Sequence, residues 1–332
     1  MELFYKKYII IFLSIILLSS CQKKQKLVIY TSVDQVYSSK IFKDFEQSTG
    51  IKILPVYDTE ASKAVGLEKR LIMEKKSPKA DIFWNSESLR TSKLANLGLF
   101  DSIKTIDTSK YKDTIYYDPQ KRWFGIGERY RVIIANKKTN NSPKKLEDIF
   151  TEENKMKIAI SNPLIGTAST HFAALYCKMG KDKFLSLINK IRQSKVQFLA
   201  GNSVVKDAVV NGKYKYGIVD SDDALVAIKA NKPIKIIYYN QNSDGVFKIF
   251  GTIAKLKNAP HPNEAKIFLE YLLTKKVEKK LINMGAVQDS VFKKNNSIKS
   301  WSLPPDKINN CFKKSLNILK SLSYIRISNN YV

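Results

Sequence analysis

The chain has 332 residues, a formal net charge of +27 and 44% hydrophobic residues, ample apolar material for a packed core. The excess charge is nearly all lysine, 50 Lys against 7 Arg, spread along the chain in twos and threes. Without arginine forks or aromatics set among basic residues, that pattern argues against a nucleic-acid reader; it reads as a solvated surface, suited to rest near anionic lipid headgroups.

In chain order, Lys6 and Lys7 precede an apolar run from Tyr8 to Leu18, interrupted only by Ser14, followed by Ser19, Ser20 and Cys21. A short positive region, an apolar stretch and small residues make a secretory signal, and the stretch falls short of the roughly 20 residues needed to span a bilayer. Cys21 in place of an ordinary small-residue cleavage site resembles a bacterial lipobox; a soluble secreted protein with an incidental Cys21 is the alternative. Residues 1–20 are therefore expected to be a signal peptide and 21–26 a lipidated tether. The chain should be exported and held by lipid at the cell membrane or in the periplasm. No later apolar run is long enough to span a bilayer. Cys177, in the run HFAALYCKM, is expected to be a buried free thiol, with a disulfide to Cys311 as the alternative.

From residue 27 the pattern alternates strand and helix. LVIYTSV, IKILPVYD and ADIFWN read as strands, with helices at Tyr37 to Thr49, Ala61 to Lys75 and Ser88 to Leu97. WFGIGERYRVIIAN is a long extended run. Strands KIAIS, VQFLA, YGIVD and IKIIYY follow, alternating with helices, and VFKIFGTIAKL is a second long extended run. Two helices, Asn263 to Thr274 and Lys276 to Asn283, come after it. Such alternation predicts an α/β fold with mostly parallel strands, in two lobes crossed twice by the chain. Ligands of such sheets sit beyond the carboxyl ends of strands.

Five segments meet that criterion: YTSVD, YDTEAS, WNSES, NPLIGTASTH and DSDDA. The second and third supply Asp58, Glu60, Asn85 and Glu87. NPLIGTASTH places Thr167, Ser169 and Thr170 at a helix start, where free amides and hydroxyls suit an anion. Ordinary helix capping explains the same residues; strand-end placement and two clustered arginines, Arg129 and Arg131, in a chain almost devoid of arginine balance the two readings. DSDDA puts Asp220, Asp222 and Asp223 within four residues; it is either a helix start favoured by the dipole or a subsite for a hard cation or an amine. His171 and His261 lack metal spacing; a local hydrogen bond suits the first and a surface position the second. No G-x-S-x-G, H-E-x-x-H, P-loop or G-x-G-x-x-G occurs, so no enzyme is expected and no cofactor is called for. A metal-assisted phosphate-ester hydrolase using the acidic cluster is the rival from another class, and a surface adhesin a third reading.

The stretch YTSVDQVYSSKIFKDFEQSTGIKILPVYDTEASKAVGLEKRLIMEKKSPKADIFWNSE resembles the amino-terminal half-lobe of bacterial extracellular solute-binding proteins of ABC importers. It is most similar to the group labelled iron(III)-binding. The likeness continues through NPLIGTASTH, GNSVVKDAVVNGKYKYGIVDSDDA and APHPNEAKIFLEYLLTKKVEKKL. It implies a two-lobed periplasmic-binding-protein fold of type II, with residues 27–125 plus 255–325 as lobe 1 and 126–254 as lobe 2. It also implies a monomeric receptor serving a permease and an ATPase, binding a small solute by lobe closure. The ligand-binding set is then Asp58, Glu60, Asn85, Glu87, Arg129, Thr167, Ser169, Thr170, Asp220 and Asp222. Ferric members use adjacent tyrosines where this chain has Asp220-Ser221-Asp222-Asp223; Tyr238-Tyr239 come later and do not inherit the role. The ligand is thus expected to be Fe(III) held by Asp220 and Asp222 with a synergistic anion, or else a phosphonate or phosphorylated small molecule.

Overall fold

The computed structural model describes residues 25–58, 65–295 and 297–320; the expected signal peptide, Cys21 and Glu60 lie outside them. Strand β1 (Lys26–Thr31) leads into helix α1 (Gln35–Thr49). Tyr37, Ile41, Phe42 and Phe45 bury one stripe of α1. Gly50 ends it at φ 74°, where its N–H donates to the Glu46 carbonyl, a conformation that favours glycine. There follow β2 (Lys52–Tyr57), α2 (Val65–Met73), β3 (Ile82–Asn85), α3 (Ser88–Asn96) and the long β4 (Phe124–Asn136). Next come β5 (Ile158–Ser161), α4 (Gly166–Gln193), β6 (Gln197–Leu199), α5 (Asn202–Val210), β7 (Tyr216–Asp220), α6 (Ser221–Lys229) and β8 (Ile234–Ile237). The chain then runs through β9 (Val246–Lys255), α7 (Pro262–Leu272), α8 (Lys275–Met284), β10 (Ser300–Trp301) and α9 (Pro305–Lys320).

The strand order is β2-β1-β3-β9-β4-β7-β5-β6, with β8 on β4 and β10 on β9. β2-β1-β3 and β7-β5-β6 are parallel sets. Between them β9 and β4 run antiparallel to each other and to their outer neighbours. β4 is shared along its length: Phe124 to Tyr130 pair with β9, and Arg131 to Ala135 with β7. The register slips between Ile126 and Glu128. Gly127 sits in that bulge at φ +58°, and a Cβ there would lie 2.5 Å from Val287 Cγ1, so only glycine fits.

Two apolar cores flank the crossing. One gathers side chains from β1 to β3, the start of β4, the end of β9 and α7–α8; the other gathers the end of β4 through β8. A smaller cluster of Leu89, Ala173, Ala174, Phe247, Ile249 and Ile308 joins α3, α4, β9 and α9 behind the crossing. Parallel strands covered on both faces explain the near-continuous apolar runs in the sequence.

The expected free thiol is corrected. Cys177 and Cys311 form a disulfide that ties α4 to α9 across 134 residues. The apolar run does bury Phe172 to Leu175, but Cys177 lies half-buried at the edge of α4, where α9 reaches it. His261 is also more than surface, since its Nδ1 lies 2.9 Å from Oδ2 of the fully buried Asp81.

Candidate functional site

The carboxyl ends of β1, β3, β5 and β7 meet the outer face of β4 around an inner cavity of about 40 Å³. That is room for a few water-sized groups. It opens beside an outer cavity of about 380 Å³ that shares Ser32, Asp34, Tyr37, Asp222 and Asp223. Apart from Arg129 on β4 and Ala286, the lining comes from strand ends turning into helices, because a strand that stops at the sheet edge exposes the next few residues there.

Four helices begin at this cavity, α1 after Asp34, α4 after Ile165, α5 after Gly201 and α6 after Asp220. In none does the N-cap side chain accept a cap hydrogen bond. Residues at all four starts line one small volume, and a helix start, with free amides and a positive dipole end, suits an anion. The Ser161 hydroxyl, on the same wall, is buried with no hydrogen-bond partner. Such a group costs free energy unless a guest satisfies it.

Carboxylates face these donors. Oxygens of Asp220, Asp222 and Asp223 lie within 4.8 Å of one another, and Asp34 lines the same space. Arg131, fully buried beneath, donates from Nη1 to Asp220 Oδ1 at 2.8 Å and to Asn202 Oδ1 at 3.0 Å. Arg129 donates to the Ser86 carbonyl at 2.8 Å and approaches Asp220 Oδ2 at 3.5 Å and Asp222 Oδ1 at 3.6 Å. Burial alone would push the Asp220 carboxyl up. The guanidiniums of Arg131 and Arg129, with hydrogen bonds from Arg131 and Thr167, outweigh it and hold the carboxyl below its usual range. Arg129 is the mirror case. Burial opposes its charge, and Asp222, Asp220, Asp34 and Asp223 hold it charged. Four carboxylates against two guanidiniums leave a locally acidic site in a strongly basic chain. Tyr37 turns its ring into this field and its hydroxyl is pushed well above the usual range, first by burial and then by Asp222, Asp223 and Asp34.

The candidate residues separate into two groups. Arg129, Thr167, Asp220 and Asp222 line the inner cavity and Asp58 the outer one. Asn85, Glu87, Ser169 and Thr170 are at most 1% exposed and line neither. Glu87 caps α3, accepting from Leu89 N at 2.5 Å and Arg90 N at 3.1 Å, and also accepts from Thr170 Oγ1 at 3.1 Å. Asn85 Nδ2 donates to the Glu87 carbonyl at 2.7 Å, and its Oδ1 accepts from Ser32 Oγ at 2.6 Å. None of the three hydroxyls near the start of α4 caps that helix. Asp34, Tyr37, Asn202 and Ser161 line the cavity beyond the expected set. Asp34 stands in a segment already marked by its strand end. Tyr37 lies one helical turn later, which only the helix spacing could have suggested. Tyr239 packs away from the cavity, its hydroxyl 3.4 Å from His171 Nε2.

Comparison with known proteins places these observations. The profile of the family described as Bacterial extracellular solute-binding protein matches residues 40–295. Iron uptake protein A1 of Synechocystis sp. is 22% identical over 266 residues, covering 76% of this chain and 72% of that protein. Among solved structures, the ferric binding protein from Campylobacter jejuni superposes with a TM-score of 0.78 at 23% identity, covering 89% of this chain and 99% of that one. The periplasmic binding protein AfuA from Actinobacillus pleuropneumoniae, with fructose-6-phosphate bound, superposes with a TM-score of 0.77 at 18% identity, covering 89% and 97%.

Proposed function

The chain belongs to the bacterial extracellular solute-binding proteins, and we propose that it is the receptor of an ABC importer that captures iron(III) together with a small anion. Its fold is the two-lobed α/β fold of type II periplasmic binding proteins. The lobes are taken as residues 27–125 plus 255–325 and 126–254, with β4 and β9 as the crossovers. The observation behind the ligand assignment is the facing of Asp220, Asp222, Asp223 and Asp34 against four uncapped helix starts within about 40 Å³. Hard Fe(III) takes oxygen ligands, and carboxylates are among the hardest a protein offers. Asp222 and Asp223, which line both the inner and the outer cavity, would hold the ion together with Asp220. The anion would sit against Ser161 and the first turns of α4 and α5. The names of the two relatives, an iron uptake protein and a ferric binding protein, favour the same ligand.

Capture follows from geometry. Asp34 and Tyr37 come from one lobe, and Thr167, Asp222 and Asp223 from the other. Contacts to both exist only when the lobes are closed, so ligand shifts the population toward closure. A permease and an ATPase would read that closed form, with a monomeric receptor tethered through lipid on Cys21. The disulfide suits an exported chain, because such bonds persist in oxidising compartments.

A second reading has its own support. The unpartnered Ser161 hydroxyl and the four helix starts suit a phosphonate or phosphoryl group, and the acidic wall suits an amine on the same molecule. A thermal-shift series on the leaderless protein separates the two. A ligand at a hundredfold excess over its Kd adds about 2.7 kcal/mol. A shift with ferric citrate, lost in D222A/D223A and kept with phosphate alone, supports iron. A shift with aminoethylphosphonate or sugar phosphates and none with ferric salts overturns it.

A further inference from the structure

Resting on that reading of the site, we infer that Arg90 is a positioning residue for ligand capture: from lobe 1 it fixes the first turn of α4, a wall of the site that belongs to lobe 2. Arg90 is 3% exposed and reaches no part of the cavity. Its Nη2 donates to Ser169 Oγ at 3.0 Å, and its Nη1 points at the Gly166 carbonyl at 3.4 Å. On its own side Nη1 lies 3.3 Å from Glu87 Oε1 and Nε lies 3.2 Å from Glu68 Oε2. Glu87 completes the grip by accepting from Thr170 Oγ1 at 3.1 Å. One guanidinium between two carboxylates thus makes two contacts on the start of a helix from the other lobe, and Glu87 makes a third.

Within its own lobe that start is held through Thr167, whose Oγ1 accepts from Asn202 Nδ2 at 3.2 Å and whose hydroxyl bonds Asp220; Arg90 adds a hold from the other lobe. Helix α4 has no side-chain cap of its own, and Gly166, at φ +53°, has nothing within 4 Å of where a Cβ would lie. Neither capping nor packing around Gly166 locks the turn, yet Gly166 and Thr167 face the ligand cavity. Ser169 carries the restraint back to Gly166, donating to its carbonyl at 2.7 Å. A fork with several fixed donors meets Glu87, Glu68, Ser169 and Gly166 together; a lysine in its place keeps the charge but presents a single point. Binding to the turn and lobe docking are therefore linked through a residue that touches no ligand.

R90K and S169A test this in the leaderless protein with its disulfide intact. Amide hydrogen exchange is followed over residues 162–172 without ligand, and affinity is measured for ferric citrate and for inorganic phosphate. In R90K the first-turn amides are expected to exchange about tenfold faster, and affinity for whichever probe binds to fall about tenfold. S169A should move both readouts the same way, and the double variant should lose less affinity than the two single losses combined. A merely structural Arg90 would lower the thermal midpoint and speed exchange everywhere alike. Unchanged exchange at 162–172, or fully additive affinity losses, overturns the inference. Should R90K not fold, S169A decides through the same exchange and affinity readouts. If the wild-type protein takes up neither probe, the ligand assignment fails, while the exchange comparison still decides the role of Arg90.

Discussion

Removing the Cys177–Cys311 disulfide should destabilise the protein substantially. The bond closes a loop across a sequence separation of 134. The chain-entropy relation for that length gives about 5 kcal/mol at 25 °C, and native bridges deliver about 2–5. The upper part of that range is expected, because the bond fastens an element docked on both lobes. On α4 the tie is covalent. On α3, Asp306 accepts from Ser92 Oγ and from Asn96 Nδ2, and Asn309 Nδ2 donates to Ser92 Oγ at 3.1 Å and to the Leu89 carbonyl at 3.3 Å. Urea unfolding followed by circular dichroism should be compared for the oxidised protein, the protein in excess dithiothreitol and C177S/C311S. The last two should coincide at a lower midpoint, with a steeper dependence on urea because an uncrosslinked unfolded chain exposes more surface. Superimposable curves for oxidised and reduced protein would refute the reasoning.

Three further outcomes follow from buried groups near the site. D220N leaves Arg131 buried without its carboxylate and should cost about 3–5 kcal/mol, read as a lower thermal midpoint at neutral pH. The same carboxylate titrates below its usual range, so its contribution is present above the model-peptide carboxylate pKa and is lost as pH falls through the lower folded value; the difference between wild type and D220N should shrink with acidification. His171 is held neutral, mainly by burial and then by Arg131, well below its usual value. The unfolded chain takes up a proton near pH 6.5 that the folded one refuses, so lowering pH from about 7.5 to about 5.5 should cost about 1.4 kcal/mol, and H171Q should flatten that slope. G127A forces a Cβ to within 2.5 Å of Val287 Cγ1 at positive φ, and a drop of about 1–3 kcal/mol is expected by urea midpoint; a neutral result would mean the bulge relaxes.

Much of the cavity wall was legible in the sequence because it follows from one local rule. Apolar strands stop at the sheet edge and polar residues come directly after them, so YGIVD followed by DSDDA was enough to mark Asp220 and Asp222. The same rule marked Glu87, Asn85, Ser169 and Thr170, and these turn inward onto one another instead. A strand end says which residues are near the cleft; it does not say which way each side chain points.

Periodicity and chemistry within a dozen residues were sufficient for the alternating elements, the two extended crossovers, the absence of a catalytic motif and the acidic step after β7. Those properties are short-range, and hydrophobic spacing alone enforces them. The pairing of Arg131 with Asp220, the approach of Tyr37 to Asp222, the grip of Arg90 on Ser169 and the joining of Cys177 to Cys311 needed the packed molecule. Each brings together residues 79 to 185 positions apart, where no local pattern constrains distance or direction. Only the docking of helices on both sides of the β4–β9 crossing decides which groups face solvent, ligand or one another.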